Sequence, residues 1–318
     1  MLNIEACISL LKQEFEKDEM INLVQELFKR ASYSPKWMLY SDYCLDDKNK
    51  PNDVLSFVLV PFISESHYQI QEKMISIRQP VDIKHSRHIS EDYMEHIRKQ
   101  ALFSFSFIVN DRQRLFGLDE TEQIKAVKKF IAILKDTFVC WLNNNDDKVQ
   151  KEYFRECISK LNNQLNEIFL KKKVKEQIDV LLITVLATFI TASILKQLPN
   201  LQIIGWFPDR DKTNETCEGL AVHIFNALLY KFMEGKLYQF CAGKPDSSKD
   251  PFYDNENRIA DVICGTLADY NIKDNLISKD KFGEVLRGLI ADNQFVKVYK
   301  LDVDEEKTHL RIIEIKTK

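Results

Sequence analysis

Apolar residues recur three or four apart between residues 3 and 30, at Ile8, Leu11, Phe15, Ile21, Val24, Leu27 and Phe28. That period predicts an N-terminal helix within residues 1–35. The period then changes. Trp37 to Cys44 is aromatic-rich and extended, a polar turn follows at 46–53 with Asn49, Pro51 and Asn52, and Val54 to Val60 is apolar and β-branched. Two such runs across a polar turn predict a hairpin. Residues 63–90 are polar and mixed and predict loop with broken structure, and Ser90 ahead of Glu91 and Asp92 marks a helix start. Clean alternation from Leu102 to Val109 predicts a third strand. Ile124, Val127, Phe130, Ile131, Leu134 and Phe138 then share one face of a helix over 119–142.

From 146 to 196 the pattern is helical throughout. Val180 to Leu195 carries no charge, but its 16 residues fall short of the ~20 that span a bilayer. With Thr184, Thr188, Thr191 and Ser193 inside it, the stretch predicts a buried helix and no membrane span. Lys171, Lys172, Lys173 and Lys175 read as a solvated helix end. Pro199 stops this helix, and residues 201–207 form a buried strand that ends at Pro208-Asp209-Arg210-Asp211. A helix over 213–234 capped by Gly235 follows, then a short strand at 237–241, helices at 255–270 and 279–291, and a terminal hairpin from 295–303 and 309–315. An antiparallel meander followed by strands reached through helices predicts an α/β chain with a mixed sheet flanked by helices.

Composition narrows the function classes. Only 8 glycines occur in 318 residues, against roughly 22 at average usage, and the sequence holds no G-x-G-x-x-G, no Walker-type G-K-[ST], no H-E-x-x-H and no G-x-S-x-G. A glycine-rich phosphate loop is thereby excluded. Seven cysteines, at 7, 44, 140, 157, 217, 241 and 264, are dispersed without a C-x-x-C pair, as expected of reduced thiols in a cytoplasmic protein. The first residues show no secretory signal pattern. A formal net charge of −3 argues against a basic coat for nucleic acid, though not against a local basic groove.

Four acids stand out. Asp42 interrupts the first strand, where aspartate is disfavoured. Asp209 and Asp211 follow the fourth strand, at the carboxyl end where ligands collect in open α/β sheets. Asp261 sits inside a helix among Ala260, Cys264, Gly265 and Ala268, small residues that let a helix approach a sheet closely. Converging carboxylates repel and drive one another's pKa values up unless a hard divalent cation joins them. The plainer alternatives are an exposed strand face for Asp42 and helix capping for Asp209 and Asp211. His85 and His88 read first as loop surface, and with Arg78 they form the best candidate for a phosphate-contacting strip.

Tyr40-Ser41-Asp42-Tyr43, Phe207-Pro208-Asp209-Arg210-Asp211 and Ala260-Asp261-Val262-Ile263-Cys264-Gly265 occur in that order. With an acid in the first strand, after the fourth and on the last helix, the chain resembles the ribonuclease-H-like nuclease superfamily. Within it, the chain is similar to an uncharacterised bacterial family with a long helical insertion. The resemblance spans roughly residues 36–270. It implies a mixed five-stranded sheet flanked by helices, with a helical insertion at about 146–198, followed over 271–318 by a C-terminal helix and hairpin. It further implies a metal-dependent nuclease acting on phosphodiester bonds of nucleic acid, in bacterial defence or mobile-element biology. Asp42, Asp209 and Asp261 would be catalytic and would hold Mg²⁺ or Mn²⁺ with help from Asp211. Two departures matter: the family opening often reads Asp-Glu-Ser-Gly where this chain has Asp42-Tyr43-Cys44-Leu45, and the superfamily's helix glutamate has only Glu120 and Glu122 as counterparts. A catalytically inactive interaction or sensor protein of the same fold is therefore the alternative, and residues 146–198 could serve oligomerisation in either case.

Overall fold

The polar turn at 46–53 does join two strands. β1 (Lys36–Cys44) pairs antiparallel with β2 (Val54–Pro61), Leu39 opposite Leu59, and β2 pairs antiparallel with β3 (Phe103–Ile108), Phe57 opposite Phe105. The structure, a computed structural model, describes residues 3–79, 83, 85–171, 174–209, 219–243, 253–304 and 307–317, the side chains of 167–171 excepted. β4 (Ile203–Pro208) lies parallel to β1, and β5 (Gln239–Ala242) parallel to β4. On the other side β6 (Val296–Val303) runs parallel to β3, and β7 (Thr308–Ile312) closes antiparallel on β6. The sheet therefore reads β5-β4-β1-β2-β3-β6-β7. The expected five strands become seven because the terminal hairpin docks on the β3 edge, whose unpaired N–H and C=O groups need partners. Apart from that count, the α/β class and mixed sheet are as the pattern predicts.

Ten α-helices cover the sheet among the described residues. One face carries α1 (Asn3–Phe15), α2 (Asp18–Arg30), α5 (Glu120–Asn143), α7 (Val174–Leu195) and α8 (Leu220–Phe232), which enclose Trp37, Leu39, Phe57, Phe105 and Trp206. The opposite face carries α4 (Glu91–Lys99), α9 (Asp254–Asp269) and α10 (Asp280–Val285), packed over Tyr40, Val58, Phe207 and Val298. Strand alternation does this sorting, since successive side chains point to opposite faces.

α7 is long and apolar enough to cross a membrane by length and composition, yet 94% of its apolar window is buried within the protein. Thr184, Thr188 and Thr191 donate their hydroxyls to Val180 O (2.8 Å), Thr184 O (2.6 Å) and Ala187 O (2.7 Å) one turn back. Their polar groups are thus satisfied inside the helix, and the stretch serves as core. α6 (Lys148–Lys171) and α7 add to the core on that face through Phe154, Cys157, Leu161 and the α7 leucines.

Three expectations need adjusting. The N-terminal helix is two helices broken at Glu16–Lys17. Residues 63–90 contain α3 (Glu65–Arg78), whose N-cap Ser64 accepts a hydrogen bond from His67 N at 3.1 Å. Only Ile75 of α3 is buried while Ile70 and Ile77 stay exposed, so no apolar stripe announces it. The helix after β4 is described from Leu220, with Gly219 in left-handed backbone at its N-cap. Its expected first turn lies outside the described residues.

Candidate functional site

Asp42 shares a strand face with Tyr40, two residues earlier. Tyr40 stacks on Phe207 across the parallel pair, ring centroids 5.7 Å apart, in the register that sets Tyr40 beside Phe207 and Ser41 beside Pro208. Carried on by Asp209 N donating to Ser41 O at 2.8 Å, that register brings Asp209 beside Asp42. The two carboxyls hydrogen-bond. Asp42 is 7% exposed, so the exposed-face alternative for it is overturned. Asp209 belongs to the β1–β4 ladder and not to the described N-cap of α8, which is Gly219.

α9 supplies the third acid. Ala260, Cys264 and Ala268 are fully buried, and the Cys264 thiol donates to Val54 O at 3.5 Å. Asn52 of the hairpin turn holds the far end of the helix through Leu267 O (2.9 Å) and Tyr270 O (2.7 Å). The small face acts as expected at those three positions, whereas Gly265 looks toward Phe282 of α10. So positioned, half-buried Asp261 comes within electrostatic reach of Asp42. Burial, then the like charges of Asp261 and Asp209, lift the Asp42 carboxyl well above the usual carboxylate range, against a hydrogen bond from Cys264.

The structure thus brings together three of the four acids singled out in the sequence, and Asp211 lies outside the described residues. Glu120 and Glu122 are corrected as counterparts of a helix glutamate. Both are exposed at the start of α5, where Glu122 N donates to the N-cap Asp119 and its own carboxylate accepts from Leu118 N at 2.8 Å. Glu122 thus closes a helix end, and Glu120 stands exposed beside it. The histidine strip also fits loop surface better: His85 and His88 are exposed, and His88 bonds Glu284 at 2.9 Å.

Sequence reasoning missed a second acidic pair beside the first site. Glu256, on the first turns of α9, is 1% exposed, and its Oε2 atom has no protein partner. It lines, with Tyr40, Tyr68 and Gln71, a narrow cavity of about 10 Å³, close to the space one water needs. Burial, then the nearby Glu72, push the Glu256 carboxyl up to about 8. Glu72 accepts hydrogen bonds from Tyr68 Oη (3.1 Å), Asn255 Nδ2 (2.6 Å) and Glu256 N (3.3 Å). The neighbouring Asn257 reaches Asp209 Oδ1 at 3.4 Å, which links the two groups. No motif flags Glu256; only its lying five residues before Asp261 on the same helix could have drawn attention.

A contrasting carboxylate group sits at the same end of the sheet but toward α7. Arg112, 1% exposed, follows β3 and bonds Asp179 of α7, Asp53 before β2 and Asp46 after β1, and Lys175 pairs with Asp46 as well. Its contact to Asp46 measures 2.9 Å and one of two to Asp179 measures 3.2 Å. Lys175 and Arg112 hold Asp46 below the usual carboxylate range despite its partial burial.

The chemistry of Asp42, Asp209 and Asp261 suits a hard cation: all three offer oxygen donors, and the charges of the other two disfavour ionisation of buried Asp42. As the side chains stand, Asp42 and Asp209 bond to each other. Among the described residues, no three or more His, Cys, Asp or Glu side chains are arranged to hold a metal ion. In comparisons with known proteins, no family model, curated protein or solved structure matches the chain.

Proposed function

We propose that the chain is a ribonuclease-H-like, divalent-metal-dependent nuclease that hydrolyses phosphodiester bonds of nucleic acid. The observation that carries this reading is the gathering of Asp42, Asp209 and Asp261, from two adjacent strand ends and a covering helix, at a buried spot where Asp42 resists ionisation. Within the seven strands, the run β3-β2-β1-β4-β5, with β1 to β3 antiparallel and β4 and β5 parallel to β1, supports the fold assignment. Asp42, Asp209 and Asp261 would hold Mg²⁺ or Mn²⁺, with Asp211 auxiliary. When bound, such an ion supplies charge neutralisation at a phosphoryl group and an acidified water. The chain's own part is to release the proton that burial and like charge keep on Asp42, to keep Asp42 dry beneath α9, and to leave half-buried Asp261 at the edge.

A second reading, an inactive interaction or sensor protein, is favoured by one observation. Glu122 serves as a helix-end group and Glu120 is exposed at the same end, so neither brings a carboxylate to the buried acids. The deciding assay is Mg²⁺- or Mn²⁺-stimulated cleavage of single- and double-stranded DNA and RNA. Wild type should cut at least one of them, and Asp42→Asn should lose about 100-fold or more, the scale on which removing one group that stabilises transition-state charge acts. Full activity in Asp42→Asn would reject the assigned site, and inactivity of wild type on all four substrates would favour the second reading.

A further inference from the structure

On the sheet face opposite Asp42, the end of α5, the start of α6 and the outer half of α8 surround about 340 Å³ of space. Four aromatic side chains build it. Trp141 meets Tyr230 edge-on at 5.3 Å and Phe154 at 5.8 Å, and Tyr153 lies 5.7 Å from Phe154. Four amides complete it: Asn144 and Asn145 from the α5–α6 turn, Gln150 from α6 and Asn226 from α8. Among the described residues no charged side chain lines the pocket. Behind it His223 bonds the Tyr153 hydroxyl at 3.2 Å, and burial, reinforced by Lys160, holds that imidazole down at about 4, so the ring is neutral at pH 7, with Lys160 on its far side paired to Glu156.

A pocket of this size that pairs aromatic rings with amides and carries no charge selects a flat, uncharged, hydrogen-bonding ligand. Nucleobases have that character. Their faces stack on aromatic side chains, and an Asn or Gln amide matches the adjacent acceptor and exocyclic amine of adenine with both of its own groups. Asn144 Nδ2 donates to Cys140 O at 2.8 Å and Asn226 Nδ2 to the Tyr153 hydroxyl at 3.4 Å. Those bonds, with a further contact of Asn144 Nδ2 to Cys140 Sγ at 3.5 Å, orient the two amides and leave each its oxygen, and Asn226 an N–H, with which to bond. Tyr230, 59% exposed, opens the pocket to solvent. The larger space between α1, α2, α7 and α8 differs in kind: two of its edges carry the charged side chains Lys12 and Glu16, 3.8 Å apart, and Lys196 and Glu234, 3.9 Å apart.

We infer that the pocket between α5, α6 and α8 binds a purine nucleobase, adenine in preference to guanine, at a site separate from the acidic one. Trp141 forms its stacking surface, and Asn144 and Asn226 read the base edge.

Trp141 also provides the readout. Trp37 and Trp206 are fully buried while Trp141 is half-buried, so a base stacking in the pocket quenches the tryptophan a solute can reach. The full chain is titrated with adenosine, guanosine, cytidine, uridine and maltotriose while fluorescence is followed. Saturable quenching by adenosine at the lowest concentration of the five is expected. Asn226→Ala and Tyr230→Ala should each weaken it about tenfold, as loss of a base contact does. Tyr230 is exposed enough for its variant to keep the wild-type unfolding midpoint, which is measured alongside. No saturable quenching by adenosine up to about 10 mM, quenching unchanged in both variants, or tighter binding of maltotriose than of any nucleoside would each overturn the inference.

Discussion

Two groups of aspartates meet at one end of this sheet and differ in what they face. Toward α7, Asp46, Asp53 and Asp179 surround buried Arg112, and Lys175 adds a second cation at Asp46. Toward α9, the neighbours that act most on Asp42 are two further aspartates and a thiol, so like charge adds to burial in driving its carboxyl up; burial also raises buried Asp179, but there the Arg112 guanidinium opposes it, and the more exposed Asp46 is held down. The difference teaches how to separate a structural acid from a candidate functional one. A buried carboxylate bound to a guanidinium is part of the fold's own charge balance. One surrounded by like charge at a strand end makes the fold less stable when it ionises, and needs something from outside to ionise freely.

The largest effect should come from breaking the balanced group. Arg112→Ala leaves carboxylates buried without their cation and should cost about 3–5 kcal/mol, read by chemical denaturation. A loss under about 1 kcal/mol would mean the cluster is solvated in practice. Asp179→Asn, which keeps the shape and removes one charge, should cost about 1–3 kcal/mol as a buried bond to a charged partner is weakened. The same substitution at Asp42 should do the opposite, leaving the unfolding midpoint unchanged or raising it, because the wild-type carboxyl there already favours its neutral form. A destabilisation of Asp42→Asn equal to that of Asp179→Asn would erase the distinction between the two groups.

Smaller, and diagnostic through its sign, is the pH dependence at Glu256. Its carboxyl moves from 4.5 to about 8 on folding. Between those values the folded protein keeps a proton that the unfolded chain has released, so the contribution of this group to stability is full below pH 4.5 and is lost as pH rises toward about 8. The slope approaches ~1.4 kcal/mol per pH unit for one proton. Glu256→Gln should flatten that part of the stability–pH curve. An unchanged slope in the variant would place the titration elsewhere. The smallest change belongs to the surface: His88→Ala, which removes an exposed contact to Glu284, should shift stability by less than about 1 kcal/mol.

What could be read from the chain follows from how local each signal is. Strand alternation and the polar turn at 46–53 are local, and they predicted β1, β2 and β3 to within a residue or two. The oddity of an aspartate in the first strand is local too, and it pointed to Asp42. The β4 and α9 acids were legible because parallel strands align their carboxyl ends and small residues mark a close helix approach. By contrast, docking of the terminal hairpin on β3 depends on which edge lies open after folding, which no residue in 295–315 encodes by itself. Glu256 and Arg112 were invisible for the same reason. Burial of a charged side chain is set by elements distant in sequence: Glu256 by Tyr40 and Tyr68, Arg112 by Asp179, 67 residues away. α3 escaped because a helix that buries one residue leaves no periodic trace.

The account turns on Asp42, Asp209 and Asp261 acting as one oxygen-donor set. Calorimetric titration of the full chain with Mn²⁺ at pH 8, for wild type, Asp42→Asn and Asp261→Asn, tests this most directly. Saturable binding in wild type that is lost in both variants is predicted. Absence of binding in wild type, or equal binding in all three proteins, would contradict it.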